Sequence, residues 1–237
     1  MGRFRYAKLN AMGLASMLGI CVASLPVAAV ARSGNTSKAE VVRRLRPVLD
    51  EAKVAARIYY RGRCNAPDFK PYVVQHLPFP ELNTSNPLSL HRSLAAVRDI
   101  FRDDKNVVVR KSGKKIVTIE IGSPSIAILK TRISIVEFSR EEQYDPEFAI
   151  GALLHSKEVG LAMDRLGMRP IVSFEDRISG YPREDAPHIS SSLRDVTLDE
   201  ALDTIATTFN GIVMYGACAE PRLFDVEFYL VHPDVSQ

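Results

Sequence analysis

No catalytic or metal-binding signature stands out among these 237 residues. The His-Glu-x-x-His pair of zinc hydrolases is missing, and so are the Gly-x-Ser-x-Gly elbow and the glycine-rich phosphate loop. Low-complexity tracts are absent, and past residue 31 no stretch reads as transmembrane. Cysteine is scarce, with three residues. These absences remove the functions that spacing alone can reveal. An apolar content of 46% still provides for a packed core, and the chain past residue 31 is long enough for one large domain or two small ones.

The N-terminal segment is the first informative stretch. Arg3, Arg5 and Lys8 form a basic head without acidic residues, and an apolar run follows from Ala11 to Leu25. Pro26 and Ala29-Val30-Ala31 come next. This is the layout of a secretory signal, with cleavage expected after Ala31 and with Ala29 and Ala31 as its small residues. Two readings compete. Ala11–Ala31 is just long enough to stay as an uncleaved anchor, although Pro26 and the A-x-A site suit cleavage. Cys21 could take lipid, but Ile20 beside it is too bulky for that processing. Cleavage gives an exported chain, periplasmic or secreted, with no stable membrane anchor.

Export changes the accounting. The whole chain carries 31 basic and 28 acidic residues, and all of the excess lies in the signal. The remainder divides sharply: residues 32–115 hold 18 basic and 8 acidic side chains, and residues 116–237 hold 10 and 20. The two halves either attract each other or present a basic face to an anionic partner. Arg57, Arg61 and Arg63 lie among Tyr59, Tyr60, Phe69 and Tyr72, a mixture that binds single strands in other settings, but an exported protein is expected to have no nucleic-acid partner. Cys21 leaves with the signal. Cys64 and Cys218 remain, and an oxidising compartment favours a disulfide between them. That bridge would close a loop worth about 4–5 kcal/mol in the chain-entropy model. A reactive thiol is the alternative.

Periodicity predicts an α+β fold, with helix-plus-β-hairpin units packed as small sheets and helices on one face. A basic lobe (32–122) and an acidic lobe (123–237) follow the signal (1–31), or form one continuous domain. Ser37 and Glu40 open a helix that Pro47 should kink or split. A short strand is expected over 58–61, then a proline-rich loop, then a helix capped by Ser89. Val107–Val109 and Val117, Ile119 and Ile121 flank a turn, as in a hairpin. Residues 123–139 read as a short helix entering a strand. Asp145-Pro146 and Ser156 start two helices, Gly167 ends the second, and residues 171–174 read as a strand. Residues 176–194 read as a long loop. Thr197 and Glu200 cap a helix ended by Asn210-Gly211, and strands at 212–215 and 224–230 form a second hairpin. Sliding by 108 residues superposes Ser89, Leu90, Leu94, Val97 and Phe101 on Thr197, Leu198, Leu202, Ile205 and Phe209, a correspondence that a duplicated unit would give and that any two helix-plus-hairpin units can share.

Candidate chemistry is sparse. His155 and Glu158 are three apart, but two ligands make no zinc site. His188 precedes Ser190, Ser191 and Ser192, and adjacency alone builds no triad. Asp199, Glu200 and Asp203 suit the first turn and polar face of their helix. No residue is assigned a catalytic or metal-binding role, and no cofactor is expected.

Leu193-Arg194-Asp195-Val196-Thr197-Leu198-Asp199-Glu200-Ala201-Leu202, continuing to Gly211-Ile212-Val213-Met214-Tyr215, resembles half of the short N-terminal module of secretins and TonB-dependent transducers. The likeness extends over 193–230. It implies a small periplasmic α+β interaction module without catalysis, whose partner is an envelope protein. The expected function is therefore non-catalytic binding in the bacterial periplasm, associated with envelope transport or signalling machinery, with strand edges and 176–194 as contact surfaces. A cell-envelope hydrolase assembled from dispersed residues is the alternative.

Overall fold

Ala55-Ala56-Arg57-Ile58-Tyr59-Tyr60 shows no alternation of polar and apolar residues, the pattern of a strand covered on both faces. The computed structural model describes residues 38–62, 93–101, 104–112, 115–122, 126–171, 186–218 and 222–231. In it this segment is β1 (Ala55–Gly62), with residues 55–60 all buried. It runs parallel to both neighbours, β3 (Ile116–Ile121) and β7 (Gly211–Cys218). β2 (Val107–Ser112) pairs antiparallel with β3 at one edge. On the other side β8 (Leu223–Leu230) pairs antiparallel with β7, and β5 (Arg169–Ile171) closes the sheet of six. Strands β4 (Arg132–Glu137) and β6 (Ser192–Thr197) form a separate antiparallel pair.

Parallel neighbours require crossover connections, which here include helices. α1 (Lys38–Ala52) and α2 (Ser93–Ile100) pack Val41, Leu45, Leu49 and Val97 onto one face of the large sheet, against Ile58, Tyr60, Ile119 and Met214. The connection from β3 to β7 carries α3 (Arg140–Tyr144), α4 (Pro146–Leu154), α5 (Lys157–Leu166) and α6 (Leu198–Thr208). α4 and α6 fill the other face over Tyr59, Val213, Tyr215, Phe224 and Phe228, and each also touches the small sheet. The α+β fold expected from the sequence is present, with helices packing on sheets. They cover both faces of the large sheet, because its inner strands are apolar on both.

Local signals explain most boundaries. Ser139 and Glu142 form a capping box at α3, and Asp145 accepts from the Glu147 and Phe148 amides to cap α4. Gly167 ends α5 at φ 60°, and Asn210 follows α6 at φ 47°. A 3₁₀ turn (Ile128–Lys130) enters β4, as expected for 123–139. Of the kink or split expected at Pro47 the split is absent: α1 continues through it. That residue lies on the exposed side, and the carbonyl it leaves unbonded belongs to exposed Arg43, where water can reach. β6 occupies the end of the stretch read as loop. Its alternation is broken at Asp195, which takes φ 53°, and the facing amide of Ser134 donates to Glu158 instead of to the ladder. The units α2-β2-β3 and α6-β7-β8 share a plan but dock differently, through β3 in the first and β7 in the second, with their helices on opposite faces. Residues 1–31, with the expected cleavage residues Ala29 and Ala31, lie outside the described residues, as do Ser37, Cys64, Ser89, His76, His91, His232 and 172–185. No helix among the described residues is long and apolar enough to cross a membrane.

A buried polar cluster ties α1 to the sheet. Lys38 Nζ lies 2.7 Å from Asp225 Oδ2 and 2.5 Å from Glu227 Oε1. Tyr60 and Tyr229 donate their hydroxyls to Asp225 and Glu227. Burial raises the Asp225 carboxyl above its ordinary range, against the pull of Lys38. Gly216, the register partner of both Tyr60 and Asp225, leaves room for this cluster; a Cβ there would meet both side chains. Gly216→Ala should therefore destabilise the protein by about 1–3 kcal/mol. Gly160→Ala on α5, where a Cβ meets open space, should be neutral or stabilising by about 0.5–1 kcal/mol. Urea denaturation of the two variants checks both values.

Candidate functional site

Strand register assembles the site. Directly paired residues share a face, so Arg110 on β2, Thr118 on β3 and Arg57 on β1 form one row across three strands. Val108, Glu120 and Tyr59 form the next row. Over this corner of the sheet lies a cleft of about 260 Å³, walled by Ile126, Leu129, Lys130 and Asp199.

Arg57 is 3% exposed, which obliges it to find carboxylates. α6 supplies two, at i and i+4 on one helix face. Arg57 Nη1 lies 2.5 Å from Asp199 Oδ1 and donates to the Asp199 carbonyl at 3.0 Å. Arg57 Nε lies 2.7 Å from Asp203 Oδ1, yet this N–H does not point along the contact, so the pair is electrostatic rather than hydrogen-bonded. Tyr59 donates to Asp199 at 2.5 Å. Burial pushes the Tyr59 hydroxyl above its ordinary range; the Arg57 charge opposes this and the Asp199 bond adds to it. Asp203 is pushed up to about 6, because burial, with Asp199 and Glu200 nearby, outweighs the attraction of Arg57.

The carboxylates of α6 thus have two jobs. Glu200 acts as expected: its carboxylate accepts from the Thr197 amide and hydroxyl, and these bonds hold it below its usual range. Asp199 and Asp203 are not explained by capping and dipole effects alone, since they clasp Arg57. The sequence signal was an arginine inside an apolar strand, together with two aspartates one helical turn apart. Arg57, Tyr59 and Tyr60 are buried, so they form no exposed basic-aromatic surface.

Other candidate residues do not converge. His155 is exposed at the end of α4, with Nδ1 2.7 Å from the Gly151 carbonyl, while Glu158 accepts from the Ser134 amide and hydroxyl. Those bonds keep Glu158 below its usual range. His188 stacks on Tyr144 with ring centroids 5.0 Å apart. The Ser191 carbonyl accepts from the Phe138 amide. The described residues contain no group of three or more His, Cys, Asp or Glu side chains able to hold a metal. A wider depression of about 430 Å³ lies between the 3₁₀ turn and α5, lined by Thr131, Arg132, Leu161 and Arg165 among others.

Two measurements follow from the clasp. Replacing Asp199 and Asp203 together by alanine strands a buried guanidinium and should cost about 3–5 kcal/mol. Arg57→Met leaves two partly hydrated carboxylates and should cost less. The folded pKa of Asp203 lies above its ordinary 3.8, so the folded state binds more protons between these values. Its contribution therefore declines as pH rises from about 4 to about 6, by at most about 3 kcal/mol. Subtracting the pH–stability curve of Asp203→Asn from that of the parent protein isolates this decline; parallel curves would refute it.

No family model, curated protein or solved structure matches this chain.

Proposed function

We propose that this chain is an exported, non-catalytic binding protein of the bacterial periplasm, engaging a partner in envelope transport or signalling machinery. The pairing within the cleft carries the reading. Asp199 is bonded to both Arg57 and Tyr59. Acid–base or nucleophilic chemistry needs a group free to exchange a proton with substrate, and this arrangement favours holding over turnover. Export rests on the basic head, apolar run and Ala29-Val30-Ala31 of residues 1–31. The order β6-α6-β7-β8 over 192–230 agrees with the secretin-like plan read from the sequence and supports an interaction module.

A Cys64–Cys218 disulfide belongs to the same proposal. The Cys218 backbone ends β7 opposite Gly62, two residues before Cys64 in sequence.

Protein taken from the periplasm should begin at Arg32 by intact mass and show Cys64 joined to Cys218 without reductant. Retention of residues 1–31 would remove the export reading, and free thiols would remove the disulfide. Crosslinking in intact envelopes should recover a defined partner. Turnover of a cell-wall substrate with no partner recovered would favour the hydrolase alternative.

A further inference from the structure

The charges of the Arg57 clasp do not balance. One buried guanidinium lies 2.5 Å from Asp199 Oδ1 and 2.7 Å from Asp203 Oδ1, so the ionised set carries one surplus negative charge. Asp199 also accepts the Tyr59 hydroxyl. Asp203 Oδ1 is buried and accepts no hydrogen bond among the described residues. A buried carboxylate oxygen without a donor disfavours the ionised form, and one proton removes the surplus charge. The Asp203 side chain as a whole is 26% exposed, so solvent can deliver that proton and take it back.

The surroundings of α6 make this proton consequential. The helix packs against β1, β3, β6, β7, α4 and the 3₁₀ turn. Arg57 on β1 favours the ionised form of Asp203, and Asp199 and Glu200 on α6 itself oppose it. Asp203 has no second ion pair among the described residues: Glu120 on β3, Glu147 on α4, Arg194 and Asp195 on β6, and Lys130 on the turn form none with it, and Tyr215 on β7 does not bond to it. The backbone takes left-handed conformations on both sides of the helix, at Asp195 (φ 53°) and Asn210 (φ 47°). A few residues near the ends of an element are where hinges absorb a change of angle. Asp199 stands in the wall of the cleft, so a shift of α6 alters its width.

We propose that the Arg57 clasp is a proton-operated latch: with one proton bound it holds α6 against β1, and release of that proton to solvent loosens α6 and widens the cleft. The sign follows from Asp203. Its carboxyl is pushed up to about 6 from the ordinary 3.8, so the latch is held at about pH 5 and is lost as pH rises through about 6. The proposal adds regulation to the site of the binding reading above, and rests on that reading for what the cleft admits.

The test is hydrogen exchange read by mass spectrometry on the chain 32–237, at about pH 5 and about pH 7.5, with each peptide corrected for the intrinsic pH dependence of amide exchange. Protection over 198–208 should fall about tenfold from the lower pH to the higher. At both it should stay below the limit set by global unfolding, which urea denaturation measures at the same pH. Asp203→Asn keeps the shape and removes the titrating group, so α6 should be equally protected at the two pH values. Asp199→Asn leaves one carboxylate for one guanidinium and should make the fall smaller than in the parent; it serves as the second variant should Asp203→Asn not fold. Unchanged protection of α6 in the parent overturns the proposal, and so does a tenfold fall that persists in Asp203→Asn. Protection equal to the global limit at both pH values also overturns it, because α6 then opens only with the whole fold. In each of these cases recovery of a partner by crosslinking still upholds the binding reading, so the two fail separately.

Discussion

The constraint on which the structure depends is that β1 is parallel to both neighbours and buried on both faces. Parallel pairing forces long connections, and two buried faces force helices onto each. Arg57 adds a condition that apolar residues cannot impose. A one-residue slip would turn it toward Leu45, Val97 and Met214, away from Asp199 and Asp203. Such a slip would exchange an ion pair for an unpaired buried charge, so Arg57 fixes register as well as charge.

The division between basic and acidic halves finds a physical counterpart in two buried clusters on opposite faces of the sheet. Each joins one cation from the first half to two carboxylates from the second: Lys38 to Asp225 and Glu227, and Arg57 to Asp199 and Asp203. Tyrosine hydroxyls donate to those carboxylates, two in the Lys38 cluster and one in the Arg57 cluster. Fully ionised, either set carries one surplus negative charge. Burial opposes that surplus, and in each cluster one carboxyl, Asp203 or Asp225, is raised accordingly. The basic and acidic halves are thus joined locally, in contacts that close the fold across long sequence distances.

Legibility in the sequence followed the range of the interaction. Thr197 with Glu200, Asp145 with Pro146, and Gly167 act on their own helices, so their spacing announced them. The hairpins of β2-β3 and β7-β8 were equally local. β6 escaped notice because Asp195 interrupts its alternation and its partner β4 is distant in sequence. Pro47 does not split α1, because its effect depends on which side of the helix meets solvent. The cleft was invisible for a stronger reason: Arg57, Thr118 and Asp199 meet only after parallel pairing sets the register of β1 and β3 and α6 packs above.

That origin also separates the residues around the cleft. β2 is an edge strand, and charged side chains on edge strands discourage unwanted strand pairing. Arg110 and Lys111 thus have a reason to be charged even without a ligand. Thr118 has no such reason. It lies on an inner strand, hidden from solvent, where valine would preserve its shape and leave no hydroxyl unpaired. The buried hydroxyl at that position, rather than the surrounding charge, is therefore the feature of this corner that edge protection and packing leave without a reason.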